Sequence, residues 1–334
     1  MAGAACLDPV ARRLRCDRRD SERFERDHRD VHHQPDGQPS LVHGPILLEA
    51  AGLRALIAGT LLEMGVLDEI LATKRDEVTL LHQPSTRDAI HKAALDAPAP
   101  RGFEAAVRAR ARDAGSLGVI AEIKRRSPSK GDLAPELEPG PTAAVYAAGG
   151  AACLSVLTDG PFFGGSVRDL QEARAAAPTT PVLRKDFTID ADQVYETRGI
   201  GADAVLLIVA AVTDDVLLAD LHGLAGELGL AALVEVHDAA ELDRALALAP
   251  RLVGVNARDL GTFDEDLGVG ERLVTRLPHD VLAIAESAIR GADDARRMAD
   301  AGFDAVLVGE ALVRASDAGA LVRELAAMPV SGRS

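Results

Sequence analysis

The chain has 334 residues, 47% of them apolar, so it can bury a sizeable core, and its length admits one large domain or two ordinary ones. A formal charge of −15 excludes a general nucleic-acid binder, which needs a basic footprint, but not a protein that holds a phosphorylated small molecule with backbone N–H groups and a few local cations. Trp is absent and aromatics make up 3%, so Ala, Val, Leu and Ile must build the core.

Residues 1–43 are crowded with Arg, Asp, Glu and His and have almost no apolar periodicity, the composition of a disordered leader. The His32-His33 pair within it lacks Cys or carboxylates at ligand spacing and reads as part of a solvated tail, so no metal site is expected. Residues 45–60 (PILLEAAGLRALIAGT) have the pattern of a short amphipathic helix. The apolar stretch 46–62 is broken by Glu49 and Arg54 and falls short of the roughly 18 residues that a membrane span needs. The long mixed-charge segment before it is unlike a signal peptide, so no membrane partner is expected. Cys6, Cys16 and Cys153 form neither a disulfide framework nor a CxxC pattern, which fits a reducing cytoplasm. Met64 opens MGVLDEILATKRDEV, which reads as a protein start. Residues 1–63 are therefore expected to be an extension or a start site assigned too early, and 64–334 the folded domain.

Within that domain, residues 64–117 read as extra helices that form a cap. From Gly118 onward, short apolar runs alternate with stretches of helical periodicity. The runs are GVIAEI (118–123), ACLSVL (152–157), PVLRK (181–185), DAVLLIV (203–209), AALVEV (231–236), LVGVN (252–256), VLAIAE (281–286) and DAVLVG (304–309). Each is almost continuously hydrophobic, the mark of a parallel strand covered on both faces. Helical patterns between them include TAAVYAAGGA, VRDLQEARAAA, DADQVYETRGIGA, DDVLLADLHGLAGELG, DAAELDRALALA and ADDARRMADAGF. Eight strand–helix units repeating about every 25 residues predict an α/β fold, a (β/α)8 barrel of the TIM type with additional N-terminal helices. An open doubly wound sheet is the competing architecture, but the chain lacks the GxGxxG turn it would normally carry after an early strand.

In such a barrel the chemistry gathers at the C-terminal ends of the strands. This chain puts polar residues there repeatedly: Glu122 and Lys124, Lys185 and Asp186, Glu235, Asn256 and Arg258, Glu286 and Ser287. Taken singly, each has an ordinary reading as a helix cap or rim residue. Five strand ends converging on one mouth instead suit acid–base chemistry. Glu122 and Lys124, two apart on one strand, point the same way, so a carboxylate lies beside a lysine and keeps it charged.

In this order and spacing, AEIKRRSPSKGDL, SVLTDGPFFGGSVRDL, LRKDFTID, ADAVLLIVA, LVEVHD, VGVNARDL, AESAIR and VLVGEAL resemble the indole-3-glycerol-phosphate synthase family over roughly the last four-fifths of the chain. The resemblance implies ring closure, decarboxylation and dehydration of 1-(o-carboxyphenylamino)-1-deoxyribulose 5-phosphate, with no cofactor. It implies that Lys185 is the general acid, that Lys124 holds the substrate carboxylate and helps the dehydration, and that Glu235 is the general base. Glu122 and Asn256 would orient the lysines and bind sugar hydroxyls, while Glu286, Ser287 and Arg258 line and shape the mouth. For phosphate, Ser127 and Lys130 in SPSKG offer a hydroxyl and a cation, and Gly309 precedes a helix; both also read as plain turns. The family usually has Gly after the Glu-Ser of the seventh strand, where this chain has Ala288. Phe162, Phe163 and Phe187 near strand ends read equally as walls for the aromatic ring or as core.

Two other readings compete: a phosphate-binding isomerase or aldolase barrel with a Schiff-base lysine, and a barrel retained as a non-catalytic partner subunit. The strand-end lysines and glutamates disfavour the second. A monomer is expected, with association with other tryptophan-pathway enzymes open. The leader expectation has a direct test in N-terminal mapping of protein expressed from its native gene: peptides should begin at Met64, and abundant upstream peptides would refute a mis-assigned start.

Overall fold

The computed structural model describes residues 65–259 and 261–332; the expectations placed on the leader, its His pair, the 45–60 helix, Cys6 and Cys16 lie outside the described residues. Eight parallel strands close into a barrel. They are β1 Gly118–Ile123, β2 Cys153–Leu157, β3 Val182–Lys185, β4 Ala204–Ile208, β5 Ala231–Val236, β6 Leu252–Asn256, β7 Leu282–Glu286 and β8 Ala305–Val308. Each pairs with the next, and β8 returns to β1 with Ala305 opposite Gly118. The apolar runs predict every strand to within one residue at either end.

Two buried clusters divide each strand between them by alternation. Ile120, Leu183, Leu206, Leu233, Leu252 and Ile284 pack inside the barrel. Their chain neighbours Val119, Val182, Val205, Val234, Val253 and Ala283 pack under the helices. Covering both faces removes the need for polar alternation along the strands.

The outer helices are α4 Pro139–Gly149, α5 Val167–Ala176, α6 Ala191–Gly199, α7 Asp215–Glu227, α8 Ala239–Leu246, α9 Leu267–Val274, α10 Ala292–Ala301, α11 Glu310–Arg314 and α12 Ala318–Ala326. Side-chain caps start many of them: Ser166 accepts from the Asp169 N–H, and Asp190, Asp214, Asp238, Asp266 and Asp317 act likewise at their helices.

Three helices precede the barrel: α1 Val66–Leu81, α2 Pro84–Asp96 and α3 Phe103–Arg108, the last running into a π-helical turn at Ala109–Asp113. Phe103 and Val107 bury against the inner cluster, where the Cys153 thiol donates to the Phe103 carbonyl at 3.6 Å, so α3 covers the N-terminal end of the strands. α2 docks on α6 through His91, whose Nε2 lies 2.7 Å from Asp192 Oδ1 and whose ring stacks on Tyr195. Among the described residues, no helix is long and apolar enough to cross a membrane.

Candidate active site

The inward alternation of each strand continues past its last apolar residue. Lys185 follows Leu183, Glu235 follows Leu233, Glu286 follows Ile284, and Glu122 and Lys124 follow Ile120, always in steps of two. The polar side chains therefore form a layer above the inner apolar layers. They open into a cavity of about 580 Å³ at the C-terminal face, lined by Glu122, Lys124, Lys185, Glu235, Asn256, Glu286 and Ser287, among others.

At its centre, the Lys185 ammonium donates to Glu235 Oε2 at 2.5 Å and lies 3.2 Å from Glu286 Oε2. Burial alone would push this ammonium toward neutrality, but Glu235, then Glu286 and Glu122, outweigh it and hold Lys185 above the ordinary lysine range. The two glutamates share one cation unequally. Although burial opposes its charge, Glu235 is held well below the usual carboxylate range by Lys185 and by His237, whose Nε2 lies 3.3 Å from Glu235 Oε1. Asn256 Nδ2 also donates to that oxygen at 3.0 Å. Glu286 takes the opposite course: burial first, and the nearby Glu235 charge, push it up to about 8 against the pull of Lys185. The centre thus pushes Lys185 and Glu235 toward their charged forms and Glu286 toward its neutral one.

His237, two residues beyond Glu235, donates from Nδ1 to Glu241 Oε2 at 2.9 Å. Burial lowers its basicity, but the close Glu235 carboxylate and the hydrogen bond to Glu241 raise it to about 10. Across the mouth, Lys124 Nζ meets Glu122 Oε1 at 2.5 Å.

Two glycines make this layer possible by close approach. A Cβ on Gly254 in β6 would overlap the Glu286 carboxylate, and one on Gly309 after β8 would overlap that of Glu122. On the β6–β8 side, the lining adds Lys130, Arg258, Arg290 and Arg314. Arg258 and Arg290 both pair with Glu265, the latter at 3.3 Å, and Arg314 pairs with Glu310 at 2.9 Å. Ser287 and Ala288 both adopt left-handed backbone, with φ of 64° and 58°, a conformation that costs a residue with a Cβ about 1 kcal/mol or more.

The cavity brings together all the residues singled out from the sequence except Ser127 and Phe162. Ser127 is buried below the turn, where its Oγ accepts the Lys130 N–H at 3.3 Å, and Phe162 packs on the inner apolar cluster. Phe163 and Phe187 do face the cavity, their ring centroids 6.0 Å apart. Asn256 holds a glutamate, not a lysine as its expected orienting role would have it. Sequence reasoning misses His237, Glu265, Arg290 and Arg314, and the apolar wall that α1 adds through Val66, Leu67 and Ile70. The phase of His237 with Glu235 is a usable signal for the first of these.

Comparison with known proteins shows what this chain is similar to. A family model described as indole-3-glycerol phosphate synthase matches residues 67–325. Relatives bearing that name include one from Polaromonas naphthalenivorans, 48% identical over 260 residues, which cover 78% of this chain and 98% of the relative. Another, from Aromatoleum aromaticum, is 49% identical over 262 residues, with the same coverage. Among solved structures, 3-hexulose-6-phosphate synthase from Salmonella typhimurium superimposes with a TM-score of 0.49 at 19% identity, covering 63% of this chain and 97% of that one.

The His237 contacts set a pH signature. Its folded value lies above the ordinary 6.5, so its contribution to stability is complete below pH 6.5 and is lost as pH rises toward 10. Glu286 adds a fall in the same direction between about 4.5 and 8. In urea unfolding from pH 6.5 to 9, His237→Gln should flatten the decline by up to about 1.4 kcal/mol per pH unit relative to wild type. Parallel wild-type and variant curves would show that His237 carries no charge in the fold.

Proposed function

This chain belongs to the indole-3-glycerol phosphate synthase family, and on that premise we propose that Lys185 is the general acid of its reaction. The reaction is the carboxy-lyase step of tryptophan biosynthesis. It converts 1-(o-carboxyphenylamino)-1-deoxyribulose 5-phosphate to indole-3-glycerol phosphate, carbon dioxide and water.

The observation that carries the assignment is the Lys185 ammonium, buried at the mouth and kept protonated chiefly by Glu235. As the ring carbon bearing the carboxylate attacks the substrate carbonyl, the carbonyl oxygen becomes an alkoxide and takes the proton from Lys185. Lys124, beside Glu122, holds the substrate carboxylate. Loss of carbon dioxide then leaves an electron pair that restores the aromatic ring. In the dehydration Lys124 assists departure of the hydroxyl, and Glu235 accepts the proton given up as the new double bond forms. Asn256 and His237 hold Glu235 in place, and Glu122 aligns Lys124 and binds sugar hydroxyls together with Glu286 and Ser287. Phe163 and Phe187 wall the aromatic ring.

The phosphate belongs at the β6–β8 side. Lys130 and Arg258 face it there, Gly309 lets the chain approach, and Ser127 contributes through the turn that presents Lys130. We take a monomer as the working form, and the free buried thiol of Cys153 is compatible with a reducing cytoplasm.

The primary test is formation of indole-3-glycerol phosphate by purified full-length protein; folded protein that binds this substrate without converting it would overturn the reading. Lys185→Met should lower kcat by about 10²–10⁴-fold while circular dichroism stays native, and near-normal turnover would remove its role as acid. At the phosphate end, Ala288→Gly should relieve the left-handed strain and the crowding methyl. It is expected to lower KM with little change in kcat and to stabilise the chain by up to about 1 kcal/mol. An unchanged or raised KM would show that residue 288 does not approach the phosphate.

A further inference from the structure

Lys74, which the chemistry above does not use, is 1% exposed, although it lies in a helix that precedes the barrel. Its ammonium meets three carboxylates: Glu77 at 2.8 Å, Asp159 at 2.9 Å and Asp186 at 2.9 Å. Burying an ammonium is unfavourable unless it is fully paired, so this contact has to form whenever α1 docks.

Each aspartate is tied to a different part of the site. Asp159 follows β2, is itself fully buried, and its Oδ1 accepts the N–H groups of Phe162 and Phe163 at 2.8 and 3.1 Å. Asp186 directly follows Lys185. It accepts the Phe187 N–H at 2.8 Å, the Thr158 hydroxyl at 2.5 Å and the Arg184 guanidinium at 3.3 Å. On α1, meanwhile, Lys74 lies one turn beyond Ile70 and two beyond Leu67 and Val66, so all four share a face. Those three apolar residues line the cavity alongside Phe163 and Phe187.

We propose that Lys74 is a positioning residue that assembles the aromatic wall of the cavity, drawing α1, the loop after β2 and the end of β3 onto one ammonium. This rests on the synthase reading, in which the substrate's ring lies against that wall. Without the ammonium, Asp159 loses its cation while Asp186 keeps Arg184, the two carboxylates repel each other, and both Phe163 and the apolar face of α1 lose their fixed distance from Lys185. The loss should fall on substrate binding more than on the proton transfers.

The test compares wild type with Lys74→Met, Lys74→Met/Asp159→Asn and Leu170→Ala, all assayed well below their unfolding midpoints. Leu170 is a buried residue of α5 outside the cavity, so its variant loses stability without touching the wall. Both Lys74 variants should raise KM about tenfold or more with a much smaller change in kcat, and Leu170→Ala should not. Amide exchange at Phe162 and Phe163 should also accelerate in the Lys74 variants alone. The double variant removes the unpaired charge and carries the test if Lys74→Met does not fold. Wild-type KM and wild-type amide protection in a folded Lys74 variant would reduce Lys74 to a structural ion pair and overturn the proposal. A wild-type chain with no turnover would overturn the synthase reading, and this inference with it.

Discussion

Closure of the sheet is the constraint on which everything else rests. A closed barrel has an inside, and the period-two geometry of a strand gives every second residue to it. The inner positions run apolar from the N-terminal end, through Ile120, Leu183, Leu233 and Ile284, and become ionisable one step later. The same alternation that packs the core thus aims Glu122, Lys185, Glu235 and Glu286 at one point. The site needs no separate device to gather residues far apart in the chain.

Gathering them creates an electrostatic problem that the centre resolves by dividing protons. One ammonium between two buried carboxyls stabilises one negative charge well and a second poorly. Asn256 and His237 decide which glutamate is charged, because both address Glu235. Glu286, with one oxygen pressed toward Gly254, keeps its proton more readily. Two glutamates within a few ångströms of one ammonium are therefore pushed toward opposite protonation states by their surroundings.

The sequence discloses the parts of this arrangement that are local. The eight strands are legible because burial on both faces makes them continuous apolar runs, and the site is legible because lysine and glutamate interrupt those runs at their ends. α9 does not stand out because Gly268 and Gly270 obscure its helical pattern; Gly270 is placed there to let the Phe303 ring approach. α11, at five residues, is too short to show a period. Lys74 reads in ATKRDE as an ordinary charged helix residue, and its burial is set by Asp159 and Asp186, which no local pattern connects to it. Phe162 and Phe163 are equivalent as sequence and both pack on the inner cluster, and only the loop's path turns Phe163 to the cavity as well.

The same distinction between local and global bears on charge. A chain of net −15 would repel a phosphorylated, carboxylated substrate if its field were uniform. At the β6–β8 side of the cavity, however, Lys130, Arg258, Arg290 and Arg314 outnumber Glu265 and Glu310, the carboxylates paired with those arginines. The surplus of two positive charges matches the charge of about −2 on a phosphate monoester near neutral pH. Glu265 holds Arg258 and Arg290 together beside the cavity, which lowers the cost of keeping two guanidinium groups close together. A phosphate bound there, as proposed, would meet guanidinium groups already held in place and would cost them less conformational entropy. Such preorganisation would let an acidic protein hold a dianion with a few cations.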